Sequence, residues 1–266
     1  MRLLLLVTIF FGSYTVAFAN SGPTWYLGFR PRFPNGRIVG GEDAQIEDHP
    51  WQASLEVYGF AYCGASIISN EWVLTAGHCT SYPASSTTVR AGTCFKNRGG
   101  STHQATLTIR HENYGSTSKG IPYNDIALIK VATPFVWDAT RAPIELFNHR
   151  EEAVDGTLTI ITGWGAVHEG GSSSEMLQVV KVPIISKKTC NDAYMGYGGL
   201  PEGQICAAHP QGGYDACQGD SGGPLTIGRR LAGIVSWGNG CARPGYPGVY
   251  TEVASYRQWI ADKADV

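Results

Sequence analysis

The stretch Gly213-Tyr-Asp-Ala-Cys-Gln-Gly-Asp-Ser-Gly-Gly-Pro224 sets Asp215, Asp220 and Ser221 among four glycines and a cysteine. Glycine takes backbone conformations that side chains forbid, so a run of this kind forms a sharp turn. A serine on such a turn stands clear of its neighbours. Taken alone, Gly219-Asp-Ser-Gly-Gly223 suits either an exposed nucleophile or a turn whose Ser and Asp merely cap backbone N–H groups.

The pentapeptide also fits G-x-S-x-G, the nucleophile elbow of α/β-hydrolases, which draw their acid and histidine from later in the chain. Here His49, His78, His103, His111, His149, His168 and His209 all precede Ser221, which excludes that fold. A serine nucleophile needs a base and the base needs an orienting acid, so both must come from upstream. Trp72-Val-Leu-Thr-Ala-Gly-His-Cys79 ends an apolar strand with a histidine, and Asn124-Asp-Ile-Ala-Leu-Ile-Lys130 opens another with an aspartate. Singly, His78 suits a structural histidine and Asp125 a strand cap; the combination points to nucleophilic catalysis.

The 266 residues are 43% apolar and 11% aromatic, with 34 Gly and 14 Pro, a balance that describes a compact, turn-rich β protein. Short apolar runs of period two or solid hydrophobicity begin at Gln52, Ser66, Thr157, Leu177 and Leu231, and turn residues separate them. Only the end reads as helical, where Val253, Tyr256, Trp259 and Ile260 share a face after Glu252. Two β-lobes in one unit, with a terminal helix, is the resulting picture. Residues 1–19 carry one positive charge, an apolar run and the small-x-small signal Ala17-Phe-Ala19, the pattern of an export signal peptide. Residues 20–37 hold three Arg, three Pro, three Gly and no acid, a removable linker. Setting aside the four arginines of residues 1–37 leaves 16 basic against 22 acidic residues, so residues 38–266 carry about −6. That charge speaks against nucleic acid or a membrane as partner. Seven cysteines in an exported chain predict disulfides with one thiol left over, and six can pair in fifteen ways. None has the spacing of a zinc site.

Seven ordered motifs resemble the chymotrypsin family of serine proteases, and the trypsins within it: Ile38-Val-Gly-Gly41, Leu74-Thr-Ala-Gly-His-Cys79, Asn124-Asp-Ile-Ala-Leu128, Gly163-Trp-Gly165, Gly219-Asp-Ser-Gly-Gly-Pro224, Ser236-Trp-Gly238 and Pro247-Gly-Val-Tyr250. The resemblance implies an all-β fold of two antiparallel six-stranded β-barrels with a C-terminal helix, formed by a protease domain over residues 38–266. It implies the pairs Cys63 with Cys79, Cys190 with Cys206 and Cys217 with Cys241, leaving Cys94 free. It also implies a triad of His78, Asp125 and Ser221, with the N–H groups of Gly219 and Ser221 as oxyanion hole. Asp215 then forms the base of a substrate pocket with Ala216, Gln218, Ser236, Trp237, Gly238 and Gly248 around it. Asp220 receives the amine made on Ile38 by a cut after Arg37.

The expected enzyme is thus a secreted, monomeric endopeptidase of broad, digestive or venom-type action that cuts after Arg and, less well, Lys in protein or peptide substrates, answers to protein inhibitors and uses no cofactor. The alternatives are a narrow cascade protease and an inactive binding homologue. The loop at residues 93–104, where vertebrate trypsins bind calcium, has no acid here, so no metal site is expected. In lacking a bridge between the strands at Thr159 and Ile227, the chain is closer to invertebrate trypsins.

Overall fold

The structure is a computed structural model that describes residues 39–266. The expected signal peptide and removable linker, with Arg37 and Ile38, lie outside the described residues. In chain order the strands are β1 (Glu42–Asp43), β2 (Gln52–Val57), β3 (Phe60–Ile67), β4 (Trp72–Thr75), β5 (Thr87–Ala91), β6 (Ser101–Arg110), β7 (Gly115–Ser116), β8 (Pro122–Tyr123), β9 (Ala127–Val131), β10 (Glu145–Leu146), β11 (Leu158–Gly163), β12 (Gln178–Ile185), β13 (Gln204–Ala207), β14 (Pro224–Ile227), β15 (Arg230–Trp237) and β16 (Gly248–Glu252).

Two antiparallel barrels of six strands account for most of them. The first closes in the order β2-β3-β4-β9-β6-β5. The second runs β12-β11-β14-β15-β16-β13 and closes where Ile184 and Ile185 of β12 pair with Ala207 and Cys206 of β13. Closure removes the free sheet edges that would otherwise invite aggregation. The short β1 extends β12, β10 lies parallel to β15, and β7 with β8 makes a separate hairpin. Ile160 pairs with Thr226 in the second barrel, so the bridgeless Thr159 and Ile227 stand one step along the same register.

The apolar runs behave as their period predicts. Thr87–Ala91 alternates buried and half-buried residues, whereas Gln52–Glu56 is buried throughout between two neighbouring strands. Helix α2 (Val253–Ala264) forms where the sequence predicts it, and Val253, Tyr256, Ile260 and Ala264 on one face join the core cluster of the first barrel. A second helix, α1 (Lys187–Ala193), is a departure from the reading of a helix only at the end. Its seven residues are too few for an apolar period, and the signal is its cap: Ser186 Oγ accepts the Thr189 N–H at 3.1 Å. Cys190 of α1 is bonded to Cys206 of β13, and Cys63–Cys79 and Cys217–Cys241 complete the three expected disulfides. Cys94 is free and accepts the Ile46 N–H at 3.2 Å.

An internal cation holds the loop after β5. Glu56 is fully buried and accepts Arg90 Nε at 2.6 Å and Nη2 at 3.1 Å, while Arg90 Nη1 donates to the Gly99 carbonyl at 2.6 Å. Removing one partner of such a pair leaves a buried charge unmatched, so Arg90→Met should cost roughly 3–5 kcal/mol in urea unfolding. The double variant Glu56→Gln/Arg90→Met should lose clearly less; an equal loss would mean that the ion pair is not what the loop rests on.

Candidate active site

The site forms where the two barrels meet, and three buried carboxylates organise it. Asp125 belongs to the first barrel, just before β9. The preceding Asn124 has φ +48°, a left-handed conformation that asparagine tolerates better than most residues. The Asn124 side chain locks the turn, accepting the Tyr256 hydroxyl at 2.9 Å and donating to Asn113 O at 2.8 Å. Asp125 is thereby held with its side chain fully buried. Its Oδ1 accepts the His78 backbone N–H at 2.8 Å, and its Oδ2 lies 2.8 Å from His78 Nδ1. The second barrel contributes the remaining bonds: Ser236 Oγ donates to Oδ2 at 2.5 Å and Thr251 Oγ1 donates to the Asp125 carbonyl at 2.7 Å. A carboxylate can only accept, so Nδ1 carries the proton and Nε2 is left with a lone pair, the form a general base requires.

Ser221 comes from the second barrel on the turn quoted at the outset. Its carbonyl accepts the Gly64 N–H at 2.7 Å and lies 3.6 Å from Cys79 Sγ, so the turn rests on the disulfide that follows His78. That approach is possible only for glycine at 222: at φ +79° a Cβ would stand 2.2 Å from Thr75 Oγ1 and 2.6 Å from Gly64 O. Gly219 has φ +99°. Among the described residues, the N–H groups of Gly219 and Ser221 find no acceptor, so one turn holds two unengaged donors. That is the equipment of an oxyanion hole.

Asp215 ends a cavity of about 180 Å³ whose lining runs from the carboxylate past Ala216, Gln218, Trp237 and Gly238 to Ser221. Its Oδ2 accepts the Ala242 N–H at 2.9 Å and its Oδ1 lies 3.5 Å from the Tyr250 hydroxyl. Burial pushes its pKa up to about 7, so the site favours a cation that restores the ionised form. A Cβ at Gly248 would sit 2.6 Å from Asp215 Oδ1 and obstruct it, while one at Gly238 would only reach the opposite wall, 3.5 Å from Gly240 O. The cavity can therefore take a long side chain ending in a positive charge.

Asp220 is completely buried beside Ser221, accepting Gly165 N–H at 2.8 Å and Cys217 N–H at 2.9 Å. Burial again dominates and pushes its pKa up to about 6, against the lowering effect of those two donors. The motif Gly163-Trp-Gly165 now has a physical reason. A Cβ at 163 would stand 2.1 Å from Asp220 Oδ1, and one at 165 would stand 2.3 Å from Oδ2. The two glycines are the walls of the carboxylate's cradle.

Of the residues singled out, Asp215, Ala216, Gln218, Ser221, Ser236, Trp237, Gly238 and Gly248 line one cavity, and His78 and Asp125 join them through Ser236, whereas Cys190, Cys206 and Cys94 lie elsewhere. Sequence reading overlooked Thr251, Tyr250 and Ala242. The first two had a signal: on β16, Gly248 and Tyr250 share the pocket face by the period of two, and Thr251 takes the other face toward Asp125. Ala242 acts through its backbone and had none.

Overpacking of the cradle is testable. Gly165→Ala should lower stability by about 3 kcal/mol or more in thermal unfolding. Gly196→Ala, where a Cβ meets nothing within 4 Å, should be nearly neutral. Similar small losses in both would show that the cradle is slack.

Comparison with known proteins agrees with this geometry. The family model described as Trypsin matches residues 38–260. The chain is 41% identical to the vitellin-degrading protease of Bombyx mori over 91% of this chain and 89% of that one. It is 36% identical to Trypsin 5G1 of Aedes aegypti over 98% of both chains. Hypodermin-B of Hypoderma lineatum is 42% identical over 86% and 88% respectively. With two closed six-stranded barrels, three disulfides and this match along nearly its whole length, the chain belongs to the trypsin family of serine proteases.

Proposed function

We propose that the chain is a secreted serine endopeptidase, made as an inert precursor and cut between Arg37 and Ile38, that hydrolyses peptide bonds after Arg and, less well, Lys. The observation that carries this reading is the single cavity joining Ser221 to a buried Asp215. A bidentate guanidinium fits a desolvated carboxylate at such a depth, and no other buried acid lines the space. Broad proteolysis of digestive or venom type is the role we favour, in keeping with relatives that are named a trypsin and a vitellin-degrading protease.

The reaction sequence is the one established for chymotrypsin-like proteases. Ser221 Oγ attacks the carbonyl carbon as His78 Nε2 takes its proton, and the oxyanion forms against the N–H groups of Gly219 and Ser221. His78 then passes the proton to the amine nitrogen, the C–N bond breaks and an acyl-Ser221 ester remains. Water, deprotonated by His78, opens the ester and restores the serine. Asp125 holds the tautomer and stabilises the imidazolium without itself becoming protonated. Activation uses Asp220, whose buried charge is in ion-pair contact with no cation among the described residues. A new ammonium on Ile38 would supply one. Val39, the first described residue, already accepts the Asp215 N–H at 3.2 Å and so leads the chain's cut end to this region.

The decisive experiment compares the purified precursor before and after limited treatment with added trypsin, using a peptide arginine amide. Activity should appear only after the cut. The Arg37→Gln precursor should stay inert, and so should cut Ser221→Ala, which should also fail to react with a serine-directed phosphonate. Full activity in either variant would remove that residue from the assigned role.

Specificity gives a separate expectation. Ala216 lines the cavity next to Asp215 and offers no hydroxyl. A lysine ammonium is shorter than a guanidinium and must complete its three donors with water and nearby oxygens. Loss of one bond to a charged group, about 1.5 kcal/mol at the low end, should favour Arg over Lys at least about tenfold in kcat/KM. Ala216→Ser should narrow that gap by raising lysine cleavage. Equal rates for matched Arg and Lys amides in the unaltered enzyme would refute the argument.

A further inference from the structure

Gln204 is buried in β13, yet both ends of its side chain are taken up by hydrogen bonds to other segments of the chain. Its Oε1 accepts the indole N–H of Trp237 at 3.2 Å, and its Nε2 donates to the Pro122 carbonyl at 2.9 Å. Each end of the amide thus has one fixed partner. Trp237 ends β15 and lines the cavity below Ser221. Pro122 opens β8, the returning strand of the Gly115–Tyr123 hairpin, three residues before Asp125. The tip of the same hairpin has a second tie: Lys119 Nζ donates to the Gly196 carbonyl at 2.8 Å, in the turn after α1. The hairpin leads into the first barrel, and both of its anchors belong to the second. It is a strap across one end of the cleft.

We propose that Gln204 is a positioning residue for the acyl half of an extended substrate, holding Trp237 and the Gly115–Tyr123 strap at a fixed separation. This deepens, and rests on, the endopeptidase reading of the same site. When a substrate side chain fills the cavity toward Asp215, its leaving-group half lies beside His78, which must protonate the departing amine. The acyl half therefore passes along the Ser236–Gly238 rim, with the Trp237 indole beneath it and the strap alongside. An apolar side chain at 204 could fill the same volume. It would leave the indole N–H and the Pro122 carbonyl without partners, and both would turn toward water. The indole and strap would then lose their common register, while Asp215 at the far end of the cavity would keep its bonds to Ala242 and Tyr250. Binding of the chain before the scissile residue should suffer, and capture of the lone cationic side chain should not.

The test compares two anilides, one of a single blocked arginine and one of a tetrapeptide ending in the same arginine, on activated enzyme. For Gln204→Met, kcat/KM on the tetrapeptide should fall about tenfold, mainly through KM, the size expected for orphaning buried hydrogen-bonding groups. The single-arginine anilide should change by less than about twofold, which also reports that the variant is folded. Lys119→Met, at an exposed position that does not endanger folding, releases the other end of the strap. It should move the ratio of the two substrates in the same direction by about twofold to threefold. In spectra of the indole N–H groups, the Trp237 signal should exchange with water faster in Gln204→Met than in the parent. Equal losses on both substrates, or an unchanged ratio in both variants, would overturn the proposal. If the unaltered enzyme cleaves neither arginine substrate, the reading of the site fails first and the positioning role falls with it.

Discussion

The arrangement depends on one buried carboxylate. Asp125 is supplied by the first barrel, and its carboxylate is met by the backbone N–H and Nδ1 of His78 beside it and by Ser236 Oγ of the second barrel, while Thr251 of that barrel donates to its backbone carbonyl. A charge buried this completely is tolerated only when its lone pairs are met by well-placed donors. Separating the barrels would strip the Ser236 bond from the carboxylate and the Thr251 bond from its backbone, so the residue that orients the histidine also ties the lobes to each other. Stability and chemistry are linked through the same atoms.

The other two buried acids play opposite parts. Asp215 and Asp220 lie five residues apart, and burial raises both above the ordinary carboxylate range. Asp215 faces an open cavity, with the Ala242 N–H and the Tyr250 hydroxyl beside it. Asp220 faces inward, against glycines 163 and 165 and two backbone N–H groups. In both cases the desolvation that makes the isolated charge costly is what gives a cation its discrimination. The difference between the two carboxylates is which way each is walled: Asp215 toward the cavity that holds Ser221, Asp220 toward the protein interior.

Close backbone approach is the second recurring device. At Gly222 and Gly165 a single methyl group would collide with a neighbouring side chain, and at Gly248 it would obstruct Asp215. Glycine is used less for flexibility at these points than for absence of bulk. The strap formed by the Gly115–Tyr123 hairpin follows a different logic, since buried Gln204 and exposed Lys119 hold it through donors to backbone carbonyls. The cleft thus has a rigid floor made by exclusion and a side wall made by hydrogen bonds.

Much of this was legible in the amino-acid sequence. Period-two and solid apolar runs marked the strands, because side-chain alternation along a strand is local geometry. The shared face of Val253, Tyr256 and Ile260 marked the last helix for the same reason. The order of His78, Asp125 and Ser221 along the chain excluded one hydrolase fold, and the ordered motifs pointed to another. Helix α1 escaped because one serine cap and seven residues carry no apolar period. What only the tertiary structure decided was company at long range. Nothing near Gly163 or Gly165 says that their missing side chains make room for a carboxylate 55 residues later, and nothing near Gln204 says that it spans from Trp237 to Pro122. Such contacts depend on how two barrels close and face each other, and a chain's local propensities hold no record of which distant backbone will come within a methyl group's width.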